Sequence, residues 1–128
     1  MHYEPFHTCI KALHSCIAAC STCALGGRNE ANGHAMTDCI ALNIDCMEIC
    51  QLAISCMERD SKMTAAICEA CIEVCEYCQE ECDKYMMDYC RSCAEACRNC
   101  AMQCEAVVAF LHSNRYRSHD SVIAGMRN

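Results

Sequence analysis

A chain of 128 residues is one domain long, and its formal charge of −7, with three arginines near the C-terminus as the sole basic patch, disfavours a nucleic-acid partner. Eighteen cysteines make about 14% of the chain, above the share that marks a cysteine framework. Leu, Ile, Val and Phe together number only 20, so cysteine itself must supply the core, where a free thiol packs as a small hydrophobe. The opening Met-His-Tyr-Glu-Pro-Phe-His has neither a basic nor an apolar leader segment. No later apolar run approaches a membrane span, so the expectation is a cytoplasmic protein with no membrane contact. Thiols stay reduced there, and dense cysteine then points to metal rather than to disulfides.

The first predicted helix starts near Pro5, tolerated in a first turn, and stops at Gly26-Gly27, which can supply a left-handed C-terminus. Cys9, Cys16, Cys20 and Cys23 step along it by three and four, with Leu13 filling the missing place. Such neighbours lie roughly 5–6 Å apart on one helical face, the face a bundle buries. Asn32-Gly33 marks a turn, and a second helix runs from about His34 to Glu58. Cys39, Cys46 and Cys50 form its seam, with Asn43 in the missing place and Met57 beyond; Cys56 falls off it on the Leu52 side. Ile40, Ile44 and Ile54 flank this seam on one side and Leu42, Ile49 and Leu52 on the other, an apolar surface wide enough for a subunit interface.

Asp60 or Ser61 is the expected cap of the third helix, which carries Cys68, Cys71, Cys75, Cys78 and Cys82. The same five-cysteine pattern returns 22 residues later as Cys90, Cys93, Cys97, Cys100 and Cys104. One continuous helix over 62–112 would span about 75 Å, so the repeat predicts a break near 84–88 and a fourth helix ending near 112. Val108 and Leu111 continue its seam in hydrocarbon. The expected architecture is all-α: an up-down-up-down four-helix bundle with a cysteine-lined core over residues 1–116, followed by a flexible tail over 117–128.

Soft thiolates select Cu(I), zinc or iron–sulfur clusters. Zinc asks for four ligands at a tetrahedron, whereas pairs on straight helices suit two-fold or bridged three-fold coordination, which Cu(I) accepts. If each thiolate bridges two Cu(I) ions and each ion takes two thiolates, about one copper binds per cysteine and the charges cancel. Met36, Met86 and Met87, with His34, fall together at one end of the bundle, where they can form a mouth for Cu(I). Asn43 can hydrogen-bond a sulfur, ligate weakly or set helix register. His2, His7, His14, His112 and His119 lack ligand-pair spacing, leaving His7 and His112 as remote extra ligands. Cys16-x-x-x-Cys20-x-x-Cys23 also has the spacing of a radical-enzyme iron–sulfur site, but a helical seam produces that spacing automatically. Metallothionein-like zinc or mixed-metal binding is the alternative, against which stands the absence of any Cys-x-Cys. An enzyme is not expected, since no cysteine has a distinct acid–base partner.

The Cys-x-x-Cys-x-x-x-Cys runs from Cys9 through Cys104 resemble those of the bacterial copper storage proteins, in particular their cytosolic branch, over about residues 5–112. That resemblance implies a four-helix bundle, usually a homotetramer, whose core binds many Cu(I) ions through cysteine, with histidine, methionine or asparagine as occasional extra ligands. It carries over all 18 cysteines as ligand candidates, Cys56 included, and leaves room for a protein that donates or accepts copper.

Overall fold

The computed structural model describes the backbone of residues 3–30 and 33–126 and the side chains of 3–30 and 35–113. Four helices follow one another: α1 (Glu4–Arg28), α2 (Thr37–Glu58) after a 3-10 turn at Gly33–Met36, α3 (Thr64–Cys82) and α4 (Asp88–Met126). Each helix packs on its two neighbours in the cycle α1, α2, α3, α4. The short links reverse direction each time, giving the expected up-down-up-down bundle.

The heptad spacing places one residue of each helix in each of six successive layers. The outermost holds Cys23, Cys39, Cys82 and Cys90; the next holds Cys20, Asn43, Cys78 and Cys93; the third holds Cys16, Cys46, Cys75 and Cys97. Leu13 joins Cys50, Cys71 and Cys100 in the fourth, and Ala53 joins Cys9, Cys68 and Cys104 in the fifth. Phe6, Met57, Thr64 and Val107 make the sixth. Every one of these side chains is buried, and all the layer cysteines are 0% exposed. At the sixth layer the ring of Phe6 meets those of Tyr3 and Phe110 edge-on or tilted, the three centroids 4.9–6.3 Å apart.

Several boundaries differ from expectation for local reasons. Gly26 and Gly27 lie inside α1 rather than ending it, and neither has positive φ. They permit close approach instead, since a Cβ on Gly26 would come within 2.8 Å of the Tyr89 ring. The chain turns between α2 and α3 through Asp60, at φ 54. Neither Asp60 nor Ser61 is the residue before α3, although Ser61 Oγ accepts from the Met63 N–H at 3.0 Å. The break between α3 and α4 falls where the repeat predicted it. Val107, fully buried, closes the seam of α4, while Val108 and Leu111 are only partly covered. α4 runs on through 117–126. The side chains from 114 onward lie outside the described residues, as do His2 and His119.

The expectation that no apolar run approaches a membrane span does not hold by length and composition. α1 and α2 reach mean hydropathies of 1.3 and 1.5 over 18 residues, long and apolar enough to cross a bilayer by length and composition. Cysteine explains this, because it scores as apolar and crowds the inward seam of both helices.

Candidate metal centre

The five sulfur-bearing layers bring seventeen cysteines into one column. All eighteen cysteines of the chain are free thiols. In the outermost layer Cys23 lies 3.8 Å from Cys39, 3.9 Å from Cys82 and 3.8 Å from Cys90, and Cys39 lies 3.6 Å from Cys82. The second layer joins Cys20 to Cys93 at 3.6 Å and Cys78 to Cys93 at 4.0 Å. In the third, Cys16 meets Cys46 at 3.7 Å and Cys97 at 3.8 Å, and Cys46 meets Cys75 at 3.7 Å. The fourth is a triangle of Cys50, Cys71 and Cys100 with edges of 3.7–4.0 Å. The Cys9–Cys104 pair at 3.7 Å carries the fifth. Cys50–Cys100 and Cys23–Cys82 bridge diagonal helices, so the bundle closes across its axis through sulfur.

These sulfurs fall into overlapping groups whose members all lie within 4.8 Å of one another: Cys20, Cys78, Cys93, Cys97; Cys16, Cys20, Cys46, Cys97; Cys16, Cys46, Cys50, Cys75; and Cys50, Cys71, Cys75, Cys100. Each group shares two sulfurs with the next, so the column is a chain of coordination sites joined by common edges. That sharing discriminates between metals. With bonds near ~2.3 Å, ions in the two groups that share the 3.7 Å Cys16–Cys46 edge sit about 2.7 Å apart. Repulsion grows as the product of the charges, fourfold worse for two Zn²⁺ than for two Cu⁺. The edge-shared column therefore suits a monovalent soft cation.

Proton affinity follows the same network. Burial, with the charge of Cys23, pushes the Cys90 thiol up; hydrogen bonding with Cys23 pushes Cys39 up to about 12. Cys97 is raised by its bonds to Cys16, Cys20 and other sulfurs, and Cys100 by Cys104 and Cys16 among others. Cys16, accepting from Cys100 and Cys20, is pushed down. One ionised sulfur thus holds its neighbours protonated, and the column titrates as a unit.

Asn43 is fully buried in the second layer, with both the oxygen and the nitrogen of its amide hydrogen-bonded. The thiols of Cys78 and Cys93 donate to its Oδ1 at 3.3 and 3.4 Å, and its Nδ2 donates to the Cys39 sulfur at 3.9 Å. Cys56, though buried, stands outside the six layers, its sulfur 3.9 Å from Arg59 Nη2. Of the expected mouth, Met36 is buried in the core and Met87 packs partly against it. Met86 is 83% exposed; the His34 side chain lies outside the described residues. His7 and His14 are exposed, and His112 faces Glu69 at 3.9 Å on the surface. Sequence reasoning missed the aromatic cluster of Tyr3, Phe6 and Phe110 and the Ala53 place in the fifth layer. Ala53 lies three residues past Cys50 and four before Met57, and that continued stepping is the signal that could have found it.

Residues 2–109 match the family model described as copper storage protein. The uncharacterized cysteine-rich protein YhjQ of Bacillus subtilis is 40% identical over 68 residues, 53% of this chain; the chain spans only 63% of that relative. The Cu(I)-bound copper storage protein BsCsp3 superposes with a TM-score of 0.77 at 38% identity, over 80% of this chain and 97% of that one. A cytosolic copper storage protein from Streptomyces lividans, solved with five coppers, gives 0.80 at 33% identity, over 83% of this chain and 93% of that one.

Proposed function

Because the chain belongs to the copper storage protein family, we propose that it stores Cu(I) in its sulfur column, at about one ion per column cysteine. The observation that carries this reading is the edge-sharing of the four-thiol groups, which lets one thiolate serve two ions. Such a lattice is neutral when copper and thiolate are equal in number, and neutrality is what a buried core requires. Zinc fits any one group taken alone but not a run of groups with common edges, for the repulsion already given.

The ligands in this reading are the seventeen column cysteines; Cys56, beside Arg59, is not among them. Cu(I) passes from sulfur to sulfur by exchange, and each step that binds an ion releases the proton of a thiol. Loading therefore weakens as pH falls. Among the described residues, the hydrogen-bond partners of the column sulfurs are one another and Asn43, which suits holding a cargo rather than catalysis. The store works in the cytoplasm, a reading supported by the free state of all the cysteines and by the cytosolic Streptomyces protein. It assembles as a homotetramer using the outward side of α2. Leu42 and Ile49 there line an open groove with Val74 and Tyr77 of α3. A donor or acceptor protein exchanges copper at the outermost layer, beside Met36 and Met87.

Anaerobic titration of the reduced protein with Cu(I), with a zinc control, tests this. Saturation near one copper per column cysteine is expected; saturation at a few ions, or zinc held as firmly as copper, overturns it.

A further inference from the structure

We propose that the bundle opens at its outer end as two hinged helix pairs, α1 with α2 and α3 with α4, and that the phenols of Tyr85 and Tyr89 are the clasp that holds the pairs shut. The proposal rests on the copper-storage reading and gives the store its entrance. Chain connectivity sets where the hinge lies. The links α1–α2 and α3–α4 both fall at the outer end, and each stays within one pair; the α2–α3 link, which joins the pairs, falls at the hydrocarbon end. Parting α1 and α4 from α2 and α3 would pull against both outer links, whereas parting these pairs pulls against neither. The hydrocarbon end resists the same motion. Phe6, Met57 and Val107 are buried in its layer, and the link itself is braced, the Ser61 N–H donating to the Cys56 carbonyl at 2.9 Å and Thr64 Oγ1 to the Ser61 carbonyl at 2.7 Å.

The outer end is held more lightly. Outside the core layers and the α2–α3 link, the hydrogen bonds that cross from one pair to the other among the described residues both come from tyrosine: Tyr85 Oη donates to the Ala35 carbonyl at 2.6 Å, and Tyr89 Oη to the Glu30 carboxylate. The Tyr89 ring is seated on α1 where Gly26 leaves room, since a Cβ there would stand 2.7–2.8 Å from its atoms. Tyr85 has a second acceptor within its own pair, Glu81 at 3.2 Å, so letting go of the Ala35 carbonyl does not strand its hydroxyl. Beneath the clasp, beside Met36 and Met87, the pairs meet through Cys23, Cys39, Cys82 and Cys90 at sulfur separations of 3.6–3.9 Å, and a thiol is a weak donor. These four thiols are 0% exposed, so an incoming ion needs a movement of this kind to reach them. Openings that break few contacts are the ones a folded chain samples most. Release of the clasp uncovers the outermost layer while the hydrocarbon end stays packed.

Modification of the reduced apo protein by N-ethylmaleimide, stopped at intervals and mapped by mass spectrometry, reads the opening without metal. In the wild type Cys23, Cys39, Cys82 and Cys90 should react before Cys9, Cys68 and Cys104. Tyr85→Phe combined with Tyr89→Phe keeps both rings and removes both hydroxyls; it should speed modification of the outer four about tenfold and leave the fifth-layer thiols unchanged. Gly26→Ala, which forces the Tyr89 ring from its seat, should shift the same four in the same direction. On the loaded protein, anaerobic removal of Cu(I) by excess bathocuproine disulfonate should quicken about tenfold in the double variant, at unchanged capacity. Fifth-layer thiols that react first in the wild type, or outer thiols no faster in the double variant, overturn the clasp, and so does acceleration at both ends alike. Faster labelling with unchanged copper removal overturns the entrance and leaves the storage reading standing. Labelling as expected in a protein that fails to take up Cu(I) keeps the clasp and sinks the storage reading.

Discussion

The two ends of the bundle continue the same heptad register with opposite chemistry. At one end Phe6, Met57 and Val107 fill the layer and the rings of Tyr3 and Phe110 cover it. At the other, four thiols lie beneath Met36 and Met87, and tyrosines tie the helix connections together. Tyr85 donates to the Ala35 carbonyl at 2.6 Å, and Tyr89 to the Glu30 carboxylate. Hydrocarbon and aromatic area is what drives burial, and it is concentrated at the first end. A thiol contributes less area and gains its value from the metal it can bind. Cohesion and cargo capacity are therefore carried by different layers of one structure.

The largest effect should come from cutting the hydrocarbon end. Phe6→Ala removes a ring from a fully packed layer and should cost about 3–5 kcal/mol of stability, read by denaturant unfolding of the apo protein. Copper capacity, measured by titration, should stay at the wild-type value once the variant is folded. A parallel fall in ions bound would show that the two ends are not separable. Cys75→Ala in the third layer should do the reverse. It lies 3.7 Å from Cys46 and belongs to two of the four-thiol groups, so one or two ions should be lost. The stability cost should be about 1–2 kcal/mol, because the side chain removed is small. A single substitution that abolished all binding would mean one cooperative cluster in place of a graded column.

The separation was legible in the chain because periodicity and residue identity are independent signals. Steps of three and four placed Cys23, Cys39, Cys82 and Cys90 on inward faces, and the break at 84–88 followed from the repeat of five cysteines. Leu13 and Asn43 were recognisable as substitutes because they occupy vacant steps. Side-chain direction at helix ends was less legible. Met86 and Met87 are adjacent in sequence, yet one is 83% exposed and the other partly packed, since beyond the last helical turn the heptad no longer dictates direction. Gly26 and Gly27 looked like a stop signal; their small size matters instead for the approach of Tyr89, a contact 63 residues away that local pattern cannot reveal. The edge-sharing of thiol groups likewise needed all four helices in place.

A milder effect is expected from pH. Burial holds Cys90 above its ordinary value of 9.0, and the bond that raises Cys39 to about 12 lowers Cys23, so those two thiols titrate as a pair. For an acid whose folded value is raised, the folded state keeps a proton that the unfolded chain has released. The stability from such groups is fully present below pH 9 and is lost as pH rises from 9 toward 12. Apo protein should therefore melt at progressively lower temperature over that window, and copper-loaded protein, whose column thiols have already surrendered their protons, should not. Equal alkaline sensitivity of the two forms would place the titration outside the column.

The smallest effect is expected at Cys56, and it sharpens where the column stops. This cysteine lies on α2 between Ala53 and Met57, the two residues that α2 contributes to the fifth and sixth layers, and its sulfur contacts the guanidinium of Arg59. Its main chain helps set the turn into α3: the carbonyl accepts from the Ser61 N–H at 2.9 Å, and Thr64 Oγ1 donates to the Ser61 carbonyl at 2.7 Å. Alanine preserves both of those bonds, since neither uses the Cys56 side chain. Cys56→Ala should thus leave the number of coppers per chain unchanged and cost about 1 kcal/mol or less, in contrast to the loss at Cys75. A drop of one ion in anaerobic titration would extend the store one step beyond Ala53 and bring the count of ligands to all eighteen cysteines.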